Sequence, residues 1–328
     1  MVKKIFGMKI KNEQERLESQ SGGAFYCLAR KVILEGGVVY GVVLNEKVVA
    51  EYARATTLDE LIPMKGSKYV QVNMGNTLEN VCEDLKKGKK VFFSGTPCCV
   101  AGLLSFLKQV KADTVHLITC DIVCHGVASP LIFRKFIQFV SKDNVREIKD
   151  FKFRDKSKGW HSHFETYYFR GKQYCTNNYA RLFSSGNCLR ESCYECQYAN
   201  YNRVADITIG DFWGIEKYYP ELDDNKGNSL LMFNSDKGLP LFESVKKDII
   251  FWQTDADKIA QPQLQHPFPK AISYDKFWHD YKKHQFGYMI FKYAKGGCKG
   301  ILKSCVINIT TKVGIYGHLH NIWMKIKK

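Results

Sequence analysis

The segment Lys90-Val-Phe-Phe-Ser-Gly-Thr-Pro-Cys98 decides the fold of this chain. Its first four residues predict a short buried strand, which ends in the small residues Ser94-Gly-Thr-Pro97. Residues 100–110 follow as a predicted helix, and residues 115–123 follow as the next strand. A strand, a helix and a second strand in succession predict a parallel βαβ layer.

The same alternation continues on both sides of this segment. We predict further helices at residues 23–34, 77–87, 130–140 and 240–247. We predict further strands at residues 38–44, 48–54, 206–210 and 229–233. Residues 145–154 and 164–170 alternate with a period of two, which predicts antiparallel strands. The expected fold class is α/β with mixed α+β character: a mostly parallel sheet layer, an antiparallel strand section and a helical, basic C-terminal tail.

Composition favours a globular protein without a membrane span. Of the 328 residues, 45% are hydrophobic, and no apolar run approaches the roughly 20 residues that a transmembrane helix needs. Residues 1–11 open like a signal peptide, but the polar residues 12–16 interrupt them before an apolar core develops. We therefore expect a cytoplasmic protein.

The net charge of +16 is concentrated at the C-terminus. Residues 282–328 contain ten lysines and no aspartate or glutamate. Apolar and aromatic residues lie among these lysines, which predicts a basic amphipathic helix. Three interpretations stay open: a solvated cap on the core, a peripheral contact with an anionic membrane at its inner face, or a contact with an acidic protein. No nucleic-acid partner is expected, because no recognised binding motif is present.

Four of the twelve cysteines form a candidate metal site. Cys193 and Cys196 are the single C-x-x-C pair of the chain, and Cys98 and Cys124 stand alone at predicted strand ends. Four thiolates brought together by the fold suit an iron–sulfur cluster or a structural zinc ion, and their spacing does not decide between the two. Cys188, five residues before the pair, is close enough in sequence to reach the same metal. We interpret the others as packed thiols rather than ligands: Cys27, Cys82, Cys99, Cys120, Cys175, Cys298 and Cys305.

Four segments carry glycines, small polar residues or cations where a ligand could meet free backbone N–H groups. Ser21-Gly22-Gly23 precedes a predicted helix and suits a phosphate or a flavin carbonyl. Lys65-Gly-Ser-Lys-Tyr69 combines two cations with an aromatic ring and suits an anionic ring-bearing ligand. The remaining segments are Ser94-Gly-Thr-Pro97, which leads into Cys98, and Arg154-Asp-Lys-Ser-Lys-Gly-Trp160.

These motifs resemble, in order, those of the beta subunit of coenzyme F420 (deazaflavin) hydrogenases and dehydrogenases. The matching segments are Ser21-Gly-Gly, Gly36-Gly-Val-Val-Tyr-Gly41, Gly66-Ser-Lys-Tyr-Val70, Phe93-Ser-Gly-Thr-Pro-Cys98, Val123-Cys-His-Gly126, Phe153-Arg-Asp-Lys156 on to Trp160, Ser192-Cys-Tyr-Glu-Cys196 and Asp206-Ile-Thr-Ile-Gly-Asp-Phe-Trp-Gly214. The resemblance divides the chain into an N-terminal family domain at 1–92, a C-terminal family domain at 93–254 and the basic tail at 255–328.

The resemblance implies an FAD-dependent oxidoreductase that passes electrons between FAD and a [4Fe–4S] cluster. It implies the cluster ligands Cys98, Cys124, Cys193 and Cys196. His125, beside a ligand, is a candidate proton donor, although a hydrogen bond to a loop carbonyl would explain it equally well. The FAD contacts that it implies are Ser21, Gly22, Gly23, Gly66, Ser67, Lys68, Tyr69, Thr96, Arg154, Lys156, Trp160, Asp211, Trp213 and Gly214.

One feature departs from the family pattern. Many members carry an N-terminal ferredoxin-like segment with several cysteines, whereas no cysteine precedes Ser21 here. We therefore expect a short form that takes electrons from ferredoxin or another acidic donor, which the basic tail would attract. Short members often accompany cell-surface polysaccharide enzymes, which suggests a role in that biosynthesis. The alternative hypothesis is a zinc-stabilised, non-catalytic accessory protein of a glycan-assembly system.

Overall fold

The computed structural model describes residues 2–259 and 261–297, in which eleven strands and twelve α-helices form a mixed α/β fold. The strands are β1 Lys4–Ile10, β2 Val38–Leu44, β3 Ala50–Ala55, β4 Val91–Gly95, β5 Leu117–Ile122, β6 Ile148–Asp155, β7 Phe164–Phe169, β8 Lys172–Thr176, β9 Ile207–Asp211, β10 Ser229–Phe233 and β11 Ile249–Gln253. The helices are α1 Glu13–Glu18, α2 Ala24–Leu34, α3 Leu58–Leu61, α4 Thr77–Lys86, α5 Pro97–Gln109, α6 Pro130–Ser141, α7 Asn178–Ser184, α8 Glu191–Tyr194, α9 Ile215–Tyr218, α10 Leu239–Val245, α11 Tyr274–Lys283 and α12 Phe286–Met289.

The main sheet has eight strands in the order β11-β1-β10-β9-β5-β4-β2-β3. Its four central strands, β9, β5, β4 and β2, run parallel, and antiparallel strands flank them on both sides. Strand β4 lies between β2 and β5, with Val91 opposite both Val38 and Leu117. The α/β class predicted from residues 90–98 is confirmed.

A second sheet contains the predicted antiparallel section. Its three strands pair antiparallel in the order β6-β7-β8. Helices α6 and α7 cover it through aromatic contacts, in which Phe133 lies 4.9 Å from Phe153 and 5.0 Å from Tyr179 between ring centroids. This buried cluster fixes the position of Arg154, which directly follows Phe153 on β6.

The first strand was not predicted from the sequence. Residues 4–10, whose basic character resembled the start of a signal peptide, form β1 between β10 and β11. Met8 is fully buried. Lys9 is also buried, and this is tolerated because its Nζ donates to the Leu222 carbonyl oxygen at 3.0 Å and to Asp224 at 3.3 Å. Burial of a lysine in a strand can be predicted only when its distant hydrogen-bond partners are known.

Helix α5 begins at Pro97, three residues before the predicted start. Proline is favoured in the first turn of a helix, where its missing N–H is not needed. Cys98 therefore lies in this first turn rather than in the preceding loop, next to Cys99 in the same turn.

The C-terminal tail is described only in part. Helices α11 and α12 and a π-helical turn at Ile290–Ala294 agree with its predicted helical character, whereas 298–328 lie outside the described residues. Within the described part of the chain, no helix combines the length and apolar character required to cross a membrane. Strands from both predicted family domains share the main sheet, and the division at residue 93 stays a prediction.

Candidate functional site

A cavity of about 450 Å³ opens where the central parallel strands end. Its wall includes Thr96 after β4, Cys124 after β5 and Asp211 at the end of β9. The carboxyl ends of parallel strands are the usual place for ligand sites in α/β sheets, because loops and helix N-termini meet there. The cavity is therefore the candidate functional site.

Most residues predicted to contact a cofactor line this cavity. They come from three loops and three strand ends that are far apart in sequence. The lining residues among them are Ser21, Gly23, Gly66, Ser67, Lys68, Tyr69, Thr96, Arg154, Asp211 and Trp213. The structure thus brings together the four ligand-facing segments, and their assignment to FAD stays a prediction.

Asp211 connects several of these segments. Its carboxylate accepts hydrogen bonds from the Ser21 hydroxyl, the Arg154 guanidinium and, at 3.1 Å, from Trp160 Nε1. The Arg154 side chain is 1% exposed, so its charge depends on this carboxylate for compensation. Gln261 donates to the Asp211 carbonyl oxygen at 2.7 Å.

The other four predicted contacts are not among the lining residues: Gly22, Lys156, Trp160 and Gly214. Two of them pack behind residues that are. Lys156 Nζ donates to the carbonyl oxygens of Arg16, Ser21 and Lys226, and burial lowers its pKa to about 7. The fully buried Trp160 stacks on Trp213 with centroids 4.9 Å apart.

Glycine is required at both remaining positions. A Cβ on Gly22 would lie 2.2 Å from the Met8 carbonyl oxygen. Gly214 caps α9 with φ +86°, in the left-handed region that glycine tolerates best.

The loop at residues 65–69 is shaped by its second lysine. Lys68 Nζ donates to the carbonyl oxygens of Pro63, Lys65 and Gly66 at 2.9–3.0 Å, and burial lowers its pKa to about 7. Tyr69 stacks on Phe183, with a centroid distance of 4.7 Å and an interplanar angle of 3°. The loop thus contributes an aromatic ring to the cavity wall, together with a lysine whose amine bonds to the loop's own carbonyl oxygens.

Two of the four predicted metal ligands line this cavity, and the assignment of all four to one metal site stays a prediction. Cys98 and Cys124 line the cavity, and Cys193 and Cys196 lie in and just after α8. Burial raises the pKa of the Cys124 thiol to about 12, and negative charge on Cys193, Cys98 and Cys196 adds to this shift. All three are therefore within electrostatic range of Cys124.

Backbone contacts hold the two loops of this site together. The Arg190 N–H donates to the Val127 carbonyl oxygen at 3.0 Å, and the Ser129 N–H donates to that of Cys188 at 2.8 Å. Gly126 has φ +134°, and a Cβ there would lie 3.4 Å from Cys193 Cβ. Among residues 2–259 and 261–297, no three Cys, His, Asp or Glu side chains are grouped so as to hold a single metal ion.

The remaining cysteines occupy other environments. Cys188 is fully buried in the aromatic cluster, and its thiol donates to the Leu182 carbonyl oxygen at 3.4 Å, which gives it a packing role. Cys27, Cys82 and Cys120 are buried, Cys175 is exposed and Cys99 is half-buried beside Cys98. Cys298 and Cys305 lie outside the described residues.

Several polar atoms in the cavity wall are unpaired. Four lining residues each have a buried side-chain atom that finds no hydrogen-bond partner within the described part of the chain: Gln20 Nε2, Tyr52 Oη, His125 Nε2 and Arg154 Nε. Buried polar groups in native proteins are nearly always paired, so these four atoms are candidate contacts for a polar ligand.

His125 is one of these residues. Its ring lies 4.1 Å from Phe268 and 5.0 Å from Phe183 between centroids, and burial lowers its pKa to about 4. The imidazole is therefore neutral at pH 7, and its role as a proton donor stays a prediction.

Sequence reasoning missed other lining residues, including Tyr52, His163 and Gln261. Tyr52 lies within a correctly predicted strand, but no local motif marks its hydroxyl as special. His163 follows the cationic segment at 154–160, and its ring lies 5.7 Å from that of Trp213. Gln261 belongs to a region predicted as tail.

Comparison with known proteins identifies the family of this chain. Residues 88–258 match the family model for the C terminus of the beta subunit of coenzyme F420 hydrogenase/dehydrogenase. The chain belongs to this family. Membership makes it a hydrogenase/dehydrogenase beta-subunit-like redox protein, and the motifs at Ser21 and Gly66 lie outside the matched range.

A solved structure shares the fold of this family member. It is the xenon-derivatised F420-reducing [NiFe] hydrogenase complex from Methanosarcina barkeri, with a TM-score of 0.54 and 14% sequence identity. The match covers 80% of this chain and 84% of that chain. No curated protein matches the sequence.

Proposed function

We propose that this protein is an iron–sulfur flavoprotein oxidoreductase, in which electrons pass between a [4Fe–4S] cluster and FAD to reduce an organic substrate. One observation carries the proposal: Cys98 and Cys124 line the same cavity as the segments at Ser21, Gly66 and Arg154. Two cofactor sites that share one wall suit electron transfer between them.

We expect the cysteines to hold a cluster rather than a single ion. Each thiolate of a [4Fe–4S] cluster binds a different iron atom, so the four sulfur atoms lie farther apart than the ligands of one zinc ion. Cys98, in the first turn of α5, has its pKa lowered to about 6 by hydrogen bonds from Cys99 and Thr96. A thiol that ionises near neutral pH is a ready ligand.

The cavity fits FAD in its chemistry. The wall supplies the aromatic rings of Tyr69 and Trp213, the small residues of the loop at 21–23 and the unpaired atoms described above. When bound, FAD would accept electrons singly and deliver them in pairs. The protein's own residues would orient the ring system between aromatic side chains and limit access of water.

The electron donor and the substrate complete the proposal. A ferredoxin or another acidic donor suits a chain whose net charge is +16. By analogy with short members of the family, the reduced substrate would belong to cell-surface polysaccharide biosynthesis, at the inner face of the membrane.

The absorbance spectrum of anaerobically purified protein tests the proposal. We expect flavin bands with a broad iron–sulfur shoulder, FAD as the nucleotide released by acid, and bleaching on addition of reduced ferredoxin. A colourless protein that contains stoichiometric zinc would refute the proposal and support the accessory role.

A further inference from the structure

Tyr52 is held rigidly at the wall of the cavity. It lies on β3 opposite Val42 of β2, and its N–H donates to the Asn73 carbonyl oxygen at 3.2 Å. Its ring stacks on Phe93 of β4, with a centroid distance of 5.1 Å and an interplanar angle of 16°. The hydroxyl therefore has a fixed position.

That hydroxyl is buried and unpaired. It is one of the four cavity-wall atoms that have no well-oriented hydrogen-bond partner within residues 2–259 and 261–297, and the Cys99 thiol beside it is only a weak acceptor. An unsatisfied buried hydroxyl destabilises a fold, so its presence calls for a compensating role.

Gly95 provides the space that the hydroxyl occupies. A Cβ built on Gly95 would lie 2.0 Å from Tyr52 Oη and 3.3 Å from Cys99 Cβ. Because Gly95 does not have a positive φ, its backbone conformation does not demand glycine, whereas the closeness of Tyr52 does. The motif Ser94-Gly-Thr-Pro97 thus contains a residue that admits the hydroxyl to the cavity wall.

The hydroxyl offers a proton rather than a negative charge. A phenol has an ordinary pKa of about 10, and burial raises that of Tyr52 further. At neutral pH the group is a hydrogen-bond donor that lacks a strong acceptor.

We infer that Tyr52 is a flavin-binding residue, whose hydroxyl donates a hydrogen bond to an acceptor atom of the FAD ring system. Gly95 leaves the space that the hydroxyl needs to reach this position. The inference rests on the proposed function, because it requires that FAD occupies the cavity. The carbonyl oxygens and ring nitrogens of a flavin are acceptors of the required kind.

Titration of the flavin-depleted protein with FAD, followed by flavin fluorescence, tests the inference. We expect Tyr52→Phe to weaken FAD binding about 5- to 10-fold, the value of one hydrogen bond, and to shift the flavin absorption maximum. The same variant should leave the melting temperature of the flavin-free protein unchanged or higher, since it removes an unsatisfied hydroxyl. A merely structural role for Tyr52 would instead lower that melting temperature.

Two further variants complete the test. Gly95→Ala should displace the hydroxyl and also weaken FAD binding, whereas Tyr168→Phe, on an exposed side chain of β7, should bind FAD like the parent protein. Equal FAD affinity and equal spectra for Tyr52→Phe and the parent would overturn the inference. If the parent protein itself binds no FAD, the proposed function fails first and the inference fails with it.

Discussion

At the scale of single residues, Asp211 is the residue on which the cavity wall depends most. Its carboxylate accepts hydrogen bonds from Ser21 in the N-terminal loop, Arg154 on β6 and Trp160 in the loop that follows β6. Three separate parts of the chain are thus fixed to the end of one strand. The position of each would change if this carboxylate lost its charge.

We predict that Asp211→Asn destabilises the protein and weakens FAD binding. The change leaves the Arg154 guanidinium buried without a counter-charge, which costs about 3 kcal/mol. Urea denaturation and FAD titration would measure the two effects. Asp236→Asn is the matched control, because its exposed pair with Lys3 contributes less than about 1 kcal/mol. Equal losses in the two variants would contradict the importance of Asp211.

At the scale of elements, Arg203 joins the two loops that carry the candidate ligands. Its Nη1 donates to the Tyr198 carbonyl oxygen at 2.9 Å, just after Cys196. Its Nη2 donates to the Ile122 carbonyl oxygen at 3.1 Å, just before Cys124, and pairs with the fully buried Asp121 at 3.0 Å. The guanidinium therefore sets the separation between the end of β5 and the segment after α8.

We predict that Arg203→Lys lowers the iron content of the purified protein, because the compact ammonium of lysine lacks the wide planar set of donors with which the guanidinium reaches both loops and Asp121. The electron paramagnetic resonance spectrum of the remaining reduced cluster should also change. Arg170→Lys, at an exposed pair with Glu147, is the control and should keep the parent iron content and spectrum. An unchanged spectrum and iron content in Arg203→Lys would show that the loops are positioned by other contacts.

A second link between elements involves Asp84 of α4, which is 4% exposed. It accepts hydrogen bonds from Tyr40 of β2 and Arg54 of β3, both at 2.7 Å. Burial alone would raise its pKa, but the bonds from Arg54 and Tyr40 outweigh burial and lower the pKa to about 2. The Asp84 carboxylate thus stabilises the fold at every pH at which it is ionised.

We predict that this contribution depends on pH in a defined direction. A carboxyl whose pKa falls from about 3.9 in the unfolded chain to about 2 contributes about 2 to 3 kcal/mol above pH 4. The contribution disappears as the pH falls from about 4 to about 2. The difference in unfolding free energy between the parent and Asp84→Asn should therefore be largest at pH 6 and shrink at pH 3. A difference that stays constant over this range would contradict the assigned pKa.

At the scale of the whole molecule, charge is distributed unevenly, and the last 47 residues have ten lysines without a carboxylate. We predict that Lys282→Glu together with Lys283→Glu slows flavin reduction by ferredoxin at low salt, since attraction of an acidic donor is lost. The effect should fade above about 0.3 M salt because of screening. Lys86→Glu with Lys87→Glu, at the end of α4, is the matched control. Equal rates for both double variants would show that residues 282–283 do not attract the donor.

The sequence was most informative where local pattern and buried structure agree. The apolar run at 91–93 and the helix after it predicted β4 and α5 within three residues, and the parallel core followed from them. Spacing and family resemblance also selected Cys98 and Cys124, which line one cavity in the fold. These features depend on residues near one another in the chain or on motifs with a fixed order.

Long-range partners explain what the sequence did not reveal. Strand β1 is held by its pairing with β10 and β11, more than 200 positions away, where Lys9 also reaches Asp224. In the sequence, Tyr52 is indistinguishable from any other tyrosine in a strand. Only the fold shows that Gly95 lies against its hydroxyl. In both cases the deciding contact joins residues that no local window contains.

The central claim is that Cys98, Cys124, Cys193 and Cys196 hold one cluster beside the cavity. Iron and acid-labile sulfide, measured in anaerobically purified parent protein and in single Cys→Ser variants, test it most directly. We predict about four iron and four sulfide per chain in the parent and in Cys175→Ser, whose thiol is exposed on the smaller sheet. We predict loss of most iron in each of the four ligand variants. A full complement of iron in Cys193→Ser or Cys196→Ser, or zinc in place of iron in the parent, would contradict the claim.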